Sequence, residues 1–186
     1  MDDDLQAIRR LKKGEIAGLE ILITRHQLKA IRTAFLITHD KSMAEDVVQD
    51  AFIRFFQCVG HFDEKYAFRP YFMRCVVNSA LDHIQKESKT LQLSWDEDIS
   101  QLETLLTRAI SVETEVEFFQ LQRAMLDALF KLPPRQRAVI VQRYYLEMSE
   151  KEMAETLEIA PGTAKWLLNA ARCRLRALLG SERNVE

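Results

Sequence analysis

The chain has 186 residues, 47% of them hydrophobic and 29% charged, with 5 Gly, 4 Pro and a formal net charge of −2. This is the profile of a soluble, helix-leaning globular protein, because collagen-like, low-complexity and wholly disordered chains need far more Gly, Pro or charge imbalance. No apolar run approaches the ~18 residues of a membrane span, and the acidic start Met1-Asp2-Asp3-Asp4 lacks the basic and apolar stretches of a secretory signal. A cytoplasmic chain is therefore expected.

Three cysteines, Cys58, Cys75 and Cys173, are widely separated and form no Cys-x-x-Cys or Cys/His pattern. They are expected to be buried thiols, since free Cys packs like a small hydrophobe. His26, His39, His61 and His83 are equally scattered. No metal, cofactor or catalytic group is expected.

In chain order, apolar residues recur at three and four, which predicts helices almost throughout and no sheet. A short helix is predicted over 5–12 and a longer one over 15–37, carrying Leu19, Leu22, Ile23, Leu28, Ile31, Phe35 and Leu36. Over 42–57, Ser42 and Glu45 read as a capping box. Ala44, Val47, Val48, Ala51, Phe52, Phe55 and Phe56 mark one core face there, with Glu45, Asp46, Gln49 and Asp50 on the other. Gly60-His61-Phe62-Asp63 breaks the pattern before a helix over 70–89. Residues 88–112 turn polar and acidic and read as an interdomain linker with a transient helix around 102–109. Further helices are predicted over 113–130 and, after Leu132-Pro133-Pro134, over 135–147.

The last part carries the clearest local signal. Ser149 and Glu152 form a second capping box opening a short helix; Glu158-Ile159-Ala160 ends it, and Pro161-Gly162-Thr163 opens another that runs to 179. Short helix, tight turn and longer helix are the helix-turn-helix layout. Met153, Ala154, Leu157, Ile159, Ala164, Leu168, Ala171, Leu175 and Leu178 fit its core. Thr163, Lys165, Trp166, Asn169 and Arg172 face outward, where polar groups reach phosphates or base edges; burial of Trp166 against a neighbouring helix is the alternative. Charge supports this reading once divided by position: residues 1–90 hold 14 basic and 13 acidic groups, 91–122 hold 1 and 7, and 123–186 hold 11 and 8. Lys165, Arg172, Arg174 and Arg176 lie in a stretch, 159–180, with no acid.

Two blocks then resemble one family. Ala44-Glu45-Asp46-Val47-Val48-Gln49-Asp50-Ala51-Phe52, followed by Phe62-Asp63, Phe68-Arg69, Arg74, Asn78 and Asp82, resembles the first conserved domain of extracytoplasmic-function sigma factors of bacterial RNA polymerase. Leu132-Pro133-Pro134-Arg135-Gln136-Arg137, Arg143-Tyr144-Tyr145, Ser149, Glu152-Met153-Ala154 and Gly162-Thr163-Ala164-Lys165 resembles their second domain. The likeness covers roughly residues 35–90 and 122–179.

The resemblance implies an all-α protein of two small helical domains, 1–90 and 112–186, joined by a flexible acidic linker over 91–111, the second domain containing the helix-turn-helix. It implies that Glu45, Asp46, Gln49 and Asp50 dock on core RNA polymerase. Phe62, Phe68, Arg69, Arg74, Asn78 and Lys86 would meet the minus-ten element of promoter DNA, whose separated strands expose bases for stacking. Thr163, Lys165, Trp166, Asn169 and Arg172 would meet the minus-thirty-five element. Asp82 is expected to be structural. Catalysis would belong to the polymerase, the factor would be a monomer without cofactor, and an anti-sigma factor is a further implied partner.

The sequence departs from the family pattern at Leu167 and Ala170, where basic residues are common, at Gln85, where a basic residue is usual, and at Tyr71, where a tryptophan is common. Each lost phosphate contact lowers salt-dependent affinity. Two alternatives stay open at this point: an autonomous helix-turn-helix regulator, which would bind a two-fold symmetric site without polymerase, and a divergent sigma paralogue with an altered DNA surface. An enzyme has no phosphate loop, metal spacing or nucleophile arrangement to support it.

Overall fold

The computed structural model describes residues 2–88 and 115–182, and there is no strand among them. The first group of helices is α1 (Asp2–Lys12), α2 (Ala17–Thr38), α3 (Lys41–Cys58) and α4 (Phe68–Ser88), with a 3-10 turn at Val59–His61. The second is α5 (Glu115–Phe130), α6 (Pro134–Ile140), α7 (Glu150–Thr156) and α8 (Pro161–Glu182), with a π-helical turn at Val141–Tyr145 continuing α6. The expected linker over 91–111 and the helix around 102–109 lie outside the described residues.

Two local expectations are corrected. α3 is capped by Asp40, whose carboxylate accepts the Met43 N–H at 2.7 Å, and not by Ser42. The reason lies one residue earlier: α2 ends at His39 in the left-handed conformation (φ 61), its N–H bonding Phe35 O at 2.8 Å. The chain then has a single extended residue, Asp40, before it turns helical again. The helix predicted over 135–147 is α-helical only to Ile140. Beyond it, Leu146 N–H reaches Val141 O and Met148 N–H reaches Gln142 O, widening the turn and ending it at Glu147 with φ 60.

The first core forms where α2, α3 and α4 meet. Leu22, Ala30 and Ile37 face Val47, Val48, Phe52 and Phe55, while Phe68, Phe72, Val76, Val77 and Ala80 close the other side. Phe72 sits 4.2 Å from Phe52 and 5.2 Å from Phe68, ring centre to ring centre. Each such side chain contributes about 1.5–3 kcal/mol by leaving water. α1 adds Ala7, Ile8 and Leu11 to the same core, lying against α2 at Gly18, where a Cβ would fall 2.2 Å from the Ala7 carbonyl oxygen. A side chain there would push α1 off.

The second group is centred on Ala128, Leu132, Val139, Met153, Ala164, Leu168 and Ala171, and it packs on the first. The Phe130 ring stacks on His39 at 3.7 Å and meets Phe35 edge-on at 5.6 Å. Arg137 lies over Phe130, Lys29 over Tyr145, and Arg74 pairs with Glu155 at 3.7 Å. Burial lowers the Arg137 pKa to about 10. Both amide atoms of the wholly buried Gln142 lack a partner.

The expectation of buried thiols is also corrected: Cys58 and Cys173 are exposed and Cys75 is half-buried. Each lies on a helix, but only Cys75 lies toward a core face, so composition misled where periodicity decides.

Candidate nucleic-acid interface

The helix-turn-helix is built from its cap upward. Ser149 Oγ accepts the Glu152 N–H while the Glu152 carboxylate takes the Ser149 N–H at 2.8 Å, the predicted capping box; the Ser149 hydroxyl also donates to that carboxylate at 2.7 Å, and this bond first, then the Ser149 N–H, hold the Glu152 carboxyl below its ordinary pKa. α7 then runs only to Thr156. Glu158, at φ 53, turns the chain, and Ile159 N–H closes on Ala154 O. Met153 and Ala154 of α7 and Ala164, Leu168 and Ala171 of α8 fix the two helices together, as their spacing predicts.

The outer face of α8 carries Thr163, Lys165, Trp166 and Asn169, all exposed. Trp166 is 66% exposed, which removes the alternative of burial against another helix. Arg172 differs. It is half-buried, its Nε donating to Tyr144 Oη at 2.9 Å with the guanidinium over the Tyr144 ring. Leu167 packs on the core and Ala170 is half-buried, so neither departure from the family pattern lies on the outer face.

The second region lies on α4 and the loop before it. Phe62 and Phe68 are 8% and 2% exposed, and this corrects the expectation that they stack on bases: Phe62 packs against Phe55 and Tyr71, and Phe68 against Phe55, Phe72 and His26. They are anchors. Between them the exposed aromatic is Tyr66, at 67%, with Tyr71 at 39%. Sequence periodicity held the signal, since Phe68 starts the Phe68, Phe72, Val76 stripe and Tyr66 falls outside it. Arg69 and Lys86 are exposed; Arg74 and Asn78 are half-buried, four residues apart on the side opposite that stripe, with the exposed Asp82 one turn further. Arg74 pairs with Glu155 of the helix-turn-helix.

A third surface lies between α2 and α3: an apolar cavity of about 400 Å³ lined by Leu19, Ile23 and Ile31 from α2 and Val48, Phe52, Ile53 and Phe56 from α3. Ile53 and Phe56 are 45% and 41% exposed. Glu45 and Gln49 line it too, whereas Asp46 and Asp50 stand further round α3, the first exposed and the second half-buried. The structure thus joins two of the four expected docking residues to an apolar groove that sequence reasoning did not foresee. Among the described residues no group of three His, Cys, Asp or Glu side chains is placed to hold a metal ion, and no helix is long and apolar enough to cross a membrane.

A helix-turn-helix at one end of a helical chain and a helical bundle at the other form the architecture of many DNA-binding transcription factors. Residues 22–90 match the family of Sigma-70 region 2 and residues 122–175 that of Sigma-70, region 4. The chain is 30% identical over 167 residues to the ECF RNA polymerase sigma factor SigM of Mycobacterium tuberculosis, covering 90% of this chain and 80% of that one. It is 27% identical over 176 residues to the ECF RNA polymerase sigma factor SigW of Bacillus subtilis, covering 92% and 94%. The chain belongs to the extracytoplasmic-function sigma factors and is a sigma factor of RNA polymerase, a factor of transcription initiation.

In fold it is similar to CnrH in complex with the cytosolic domain of CnrY, with a TM-score of 0.64, 22% identity, and 96% of this chain and 98% of that one covered. It is likewise similar to the sigma factor RpoE in complex with the anti-sigma factor NepR from Bartonella quintana, with a TM-score of 0.64, 18% identity, and 87% and 98% covered. At those identities the likeness speaks for the fold alone.

Proposed function

We propose that this sigma factor acts through three surfaces on two domains, 1–90 and 112–186, linked through 91–111. The groove between α2 and α3, with Glu45 and Gln49 at its rim and Asp46 and Asp50 beside it, docks on core polymerase. The α4 face with Arg69, Arg74, Asn78 and Lys86, together with Tyr66, meets the strand-separated minus-ten element. Thr163, Lys165, Trp166, Asn169 and Arg172 on α8 meet the minus-thirty-five element as duplex. The factor is a cytoplasmic monomer that performs no covalent chemistry, and an anti-sigma protein is the partner expected to restrain it.

The observation that carries this reading is the groove: an apolar floor with exposed Ile53 and Phe56 beside acidic and amide side chains, on the same bundle as two exposed tyrosines. Apolar floor and polar rim are what a helix-binding surface needs. The distance between promoter elements adds a condition. About 25 base pairs at about 3.4 Å each separate them by roughly 85 Å, while a compact chain of this length is about 40 Å across. The packing of Phe130 on His39 and of Glu155 on Arg74 therefore has to open before both elements are held.

In vitro transcription with core polymerase tests this. Ile53→Glu in the groove, and separately Asp46→Lys with Asp50→Lys, should abolish assembly and start-site selection while the helical circular-dichroism signal stays. Normal assembly by both variants refutes the docking surface. Specific duplex binding without polymerase would instead favour an autonomous regulator.

A further inference from the structure

The family match to Sigma-70 region 2 begins at residue 22, so α1 lies outside it, yet α1 holds both ends of the loop that carries Tyr66. At the near end, Lys12 Nζ donates to the Phe62 carbonyl oxygen at 2.8 Å and to Glu64 Oε1 at 3.1 Å. Arg9, one turn earlier, donates through Nε to the other oxygen, Glu64 Oε2, at 2.8 Å. Both oxygens of one loop carboxylate are thus engaged by two cations on one face of α1, a fork that fixes direction as well as distance. At the far end, Asp4 Oδ2 lies 3.0 Å from His26 Nε2, and the His26 ring meets Phe68 edge-on at 5.1 Å. Phe68 is the first residue of α4.

Between these two anchors the loop is shaped by its own bonds. Asp63 accepts the Lys65 N–H on its side chain and the Tyr66 N–H on its carbonyl, at 3.0 and 3.1 Å. Tyr66 then stands out into solvent. α1 itself is seated by three buried side chains, by the close approach at Gly18, and by ion pairs from Asp3 and Asp4 to Arg25. It is a strut, fixed on one side and holding the loop on the other.

We propose that α1 is a brace for the minus-ten reading loop, with Lys12 and Arg9 as positioning residues that set selectivity through Phe62 and Glu64 without touching DNA. This rests on the reading that residues 62–67 meet the separated strand. A base pocket discriminates only when its walls are held to a fraction of an ångström, and a loop of six residues anchored by two aromatic rings keeps residual freedom that these hydrogen bonds remove. Arg9 and Lys12 hold the Glu64 carboxyl below its ordinary pKa, so the fork stays charged at neutral pH.

The test uses holoenzyme reconstituted from core polymerase and the full chain, on a promoter library randomised across the minus-ten element. Lys12→Met and Glu64→Gln should each lower selectivity between about ten- and a hundredfold at one or more minus-ten positions. Core affinity and the selectivity at the minus-thirty-five element should stay unchanged, and Lys12→Arg should restore most of the loss. Because the brace acts through the loop, the slope of log affinity against log salt should not move. A slope reduced by about one in Lys12→Met, with Glu64→Gln silent, would mean that Lys12 binds phosphate directly and would overturn the brace. Tyr66→Ala separates the two levels: if it erases selectivity while Lys12→Met and Glu64→Gln leave it intact, the loop reads DNA and the brace is wrong. If all three leave it intact, the reading of the loop falls and the brace with it.

Discussion

Replacing His39 by Asn is the sharpest probe of how the two halves are held. Asn tolerates the left-handed conformation that position 39 adopts at φ 61, so the turn between α2 and α3 is kept. The variant loses the 3.7 Å stack on Phe130 and the edge contact with Phe35. An aromatic pair contributes about 0.5–1.5 kcal/mol beyond its area, and the smaller amide leaves part of the Phe130 face uncovered. A total of about 1–2 kcal/mol moves the closed-to-open ratio by about 5- to 30-fold.

The exposed Cys58 on α3 and Cys173 on α8 take a donor and an acceptor dye, one on each half, in a Cys75→Ser background. Energy transfer in the free chain should be lower in His39→Asn than in its parent at pH 7.5. A second reading uses the proton. Burial first, and then Arg137, push the His39 pKa below its ordinary 6.5, with Asp127 and Asp40 acting weakly the other way. The closed state therefore prefers neutral His39: its contribution is complete above pH 6.5 and is lost as pH falls through the lower value. Transfer in the parent should drop on acidification, and the step assigned to this residue should vanish in His39→Asn. Equal transfer at pH 7.5, or an unchanged acid step, would refute the assignment of His39 as the pin.

Gln142→Met removes an amide whose two polar atoms are buried without partners, and should stabilise the chain by about 1–2 kcal/mol, seen as a thermal midpoint about 2–8 °C higher. Ser149→Ala removes the cap of α7 and should cost about 1 kcal/mol. The part of this cost carried by the Ser149 hydroxyl's bond to the Glu152 carboxylate should be present above pH 4.5 and fade as pH falls through the depressed value of Glu152, which calorimetry across pH 3–7 would follow, while the part carried by the Glu152 N–H bond stays. On duplex carrying the upstream element, Lys165→Ala in holoenzyme should lower the salt slope by about one. Trp166→Ala should weaken binding with the slope unchanged, as expected of an uncharged side chain at 66% exposure.

What the sequence made legible follows from what periodicity measures. The faces of α3, α4 and α8, the Ser149 capping box and the helix-turn-helix could all be read because each is settled within about two turns of chain. The true cap of α3 was missed because it depends on where α2 stops, and His39 ending it with a left-handed turn is a property of two helices. Phe62 and Phe68 were expected to meet the minus-ten element because composition treats aromatic rings alike, while burial sorts them by what they pack against, including His26, 42 residues from Phe68. The groove between α2 and α3 has the same origin. Phe56 was expected on the core face of α3 but is 41% exposed at its edge, and Ile53 lies off that face altogether; only the way α2 lies beside α3 gathers them into one groove.

The same long-range packing explains how a chain of net charge −2 can hold a promoter. Each DNA surface offers only a few cations, and part of them are already engaged: α8 carries Lys165 and an Arg172 bonded to Tyr144, with Arg174 and Arg176 further along, and α4 carries Arg69 and Lys86 beside an Arg74 paired with Glu155. An exposed ion pair of this kind contributes about 0–1 kcal/mol, so Glu155 is readily exchanged for a phosphate once the halves separate. Separation in turn needs a ligand that binds the open state better than the closed one. Core polymerase meets that need when it holds the α2–α3 groove while the promoter draws α8 away from α4. Once it is docked, each DNA contact is made at high effective concentration, and two modest surfaces act as one strong one. The buried Arg137, over the Phe130 ring that stacks on His39, makes the closed packing less stable than an apolar interface of the same size, leaving the polymerase less to overcome. For that reason Arg137→Met, which should tighten the closed packing, should also slow the start of transcription, and a variant more firmly closed yet equally fast would break the link between opening and initiation.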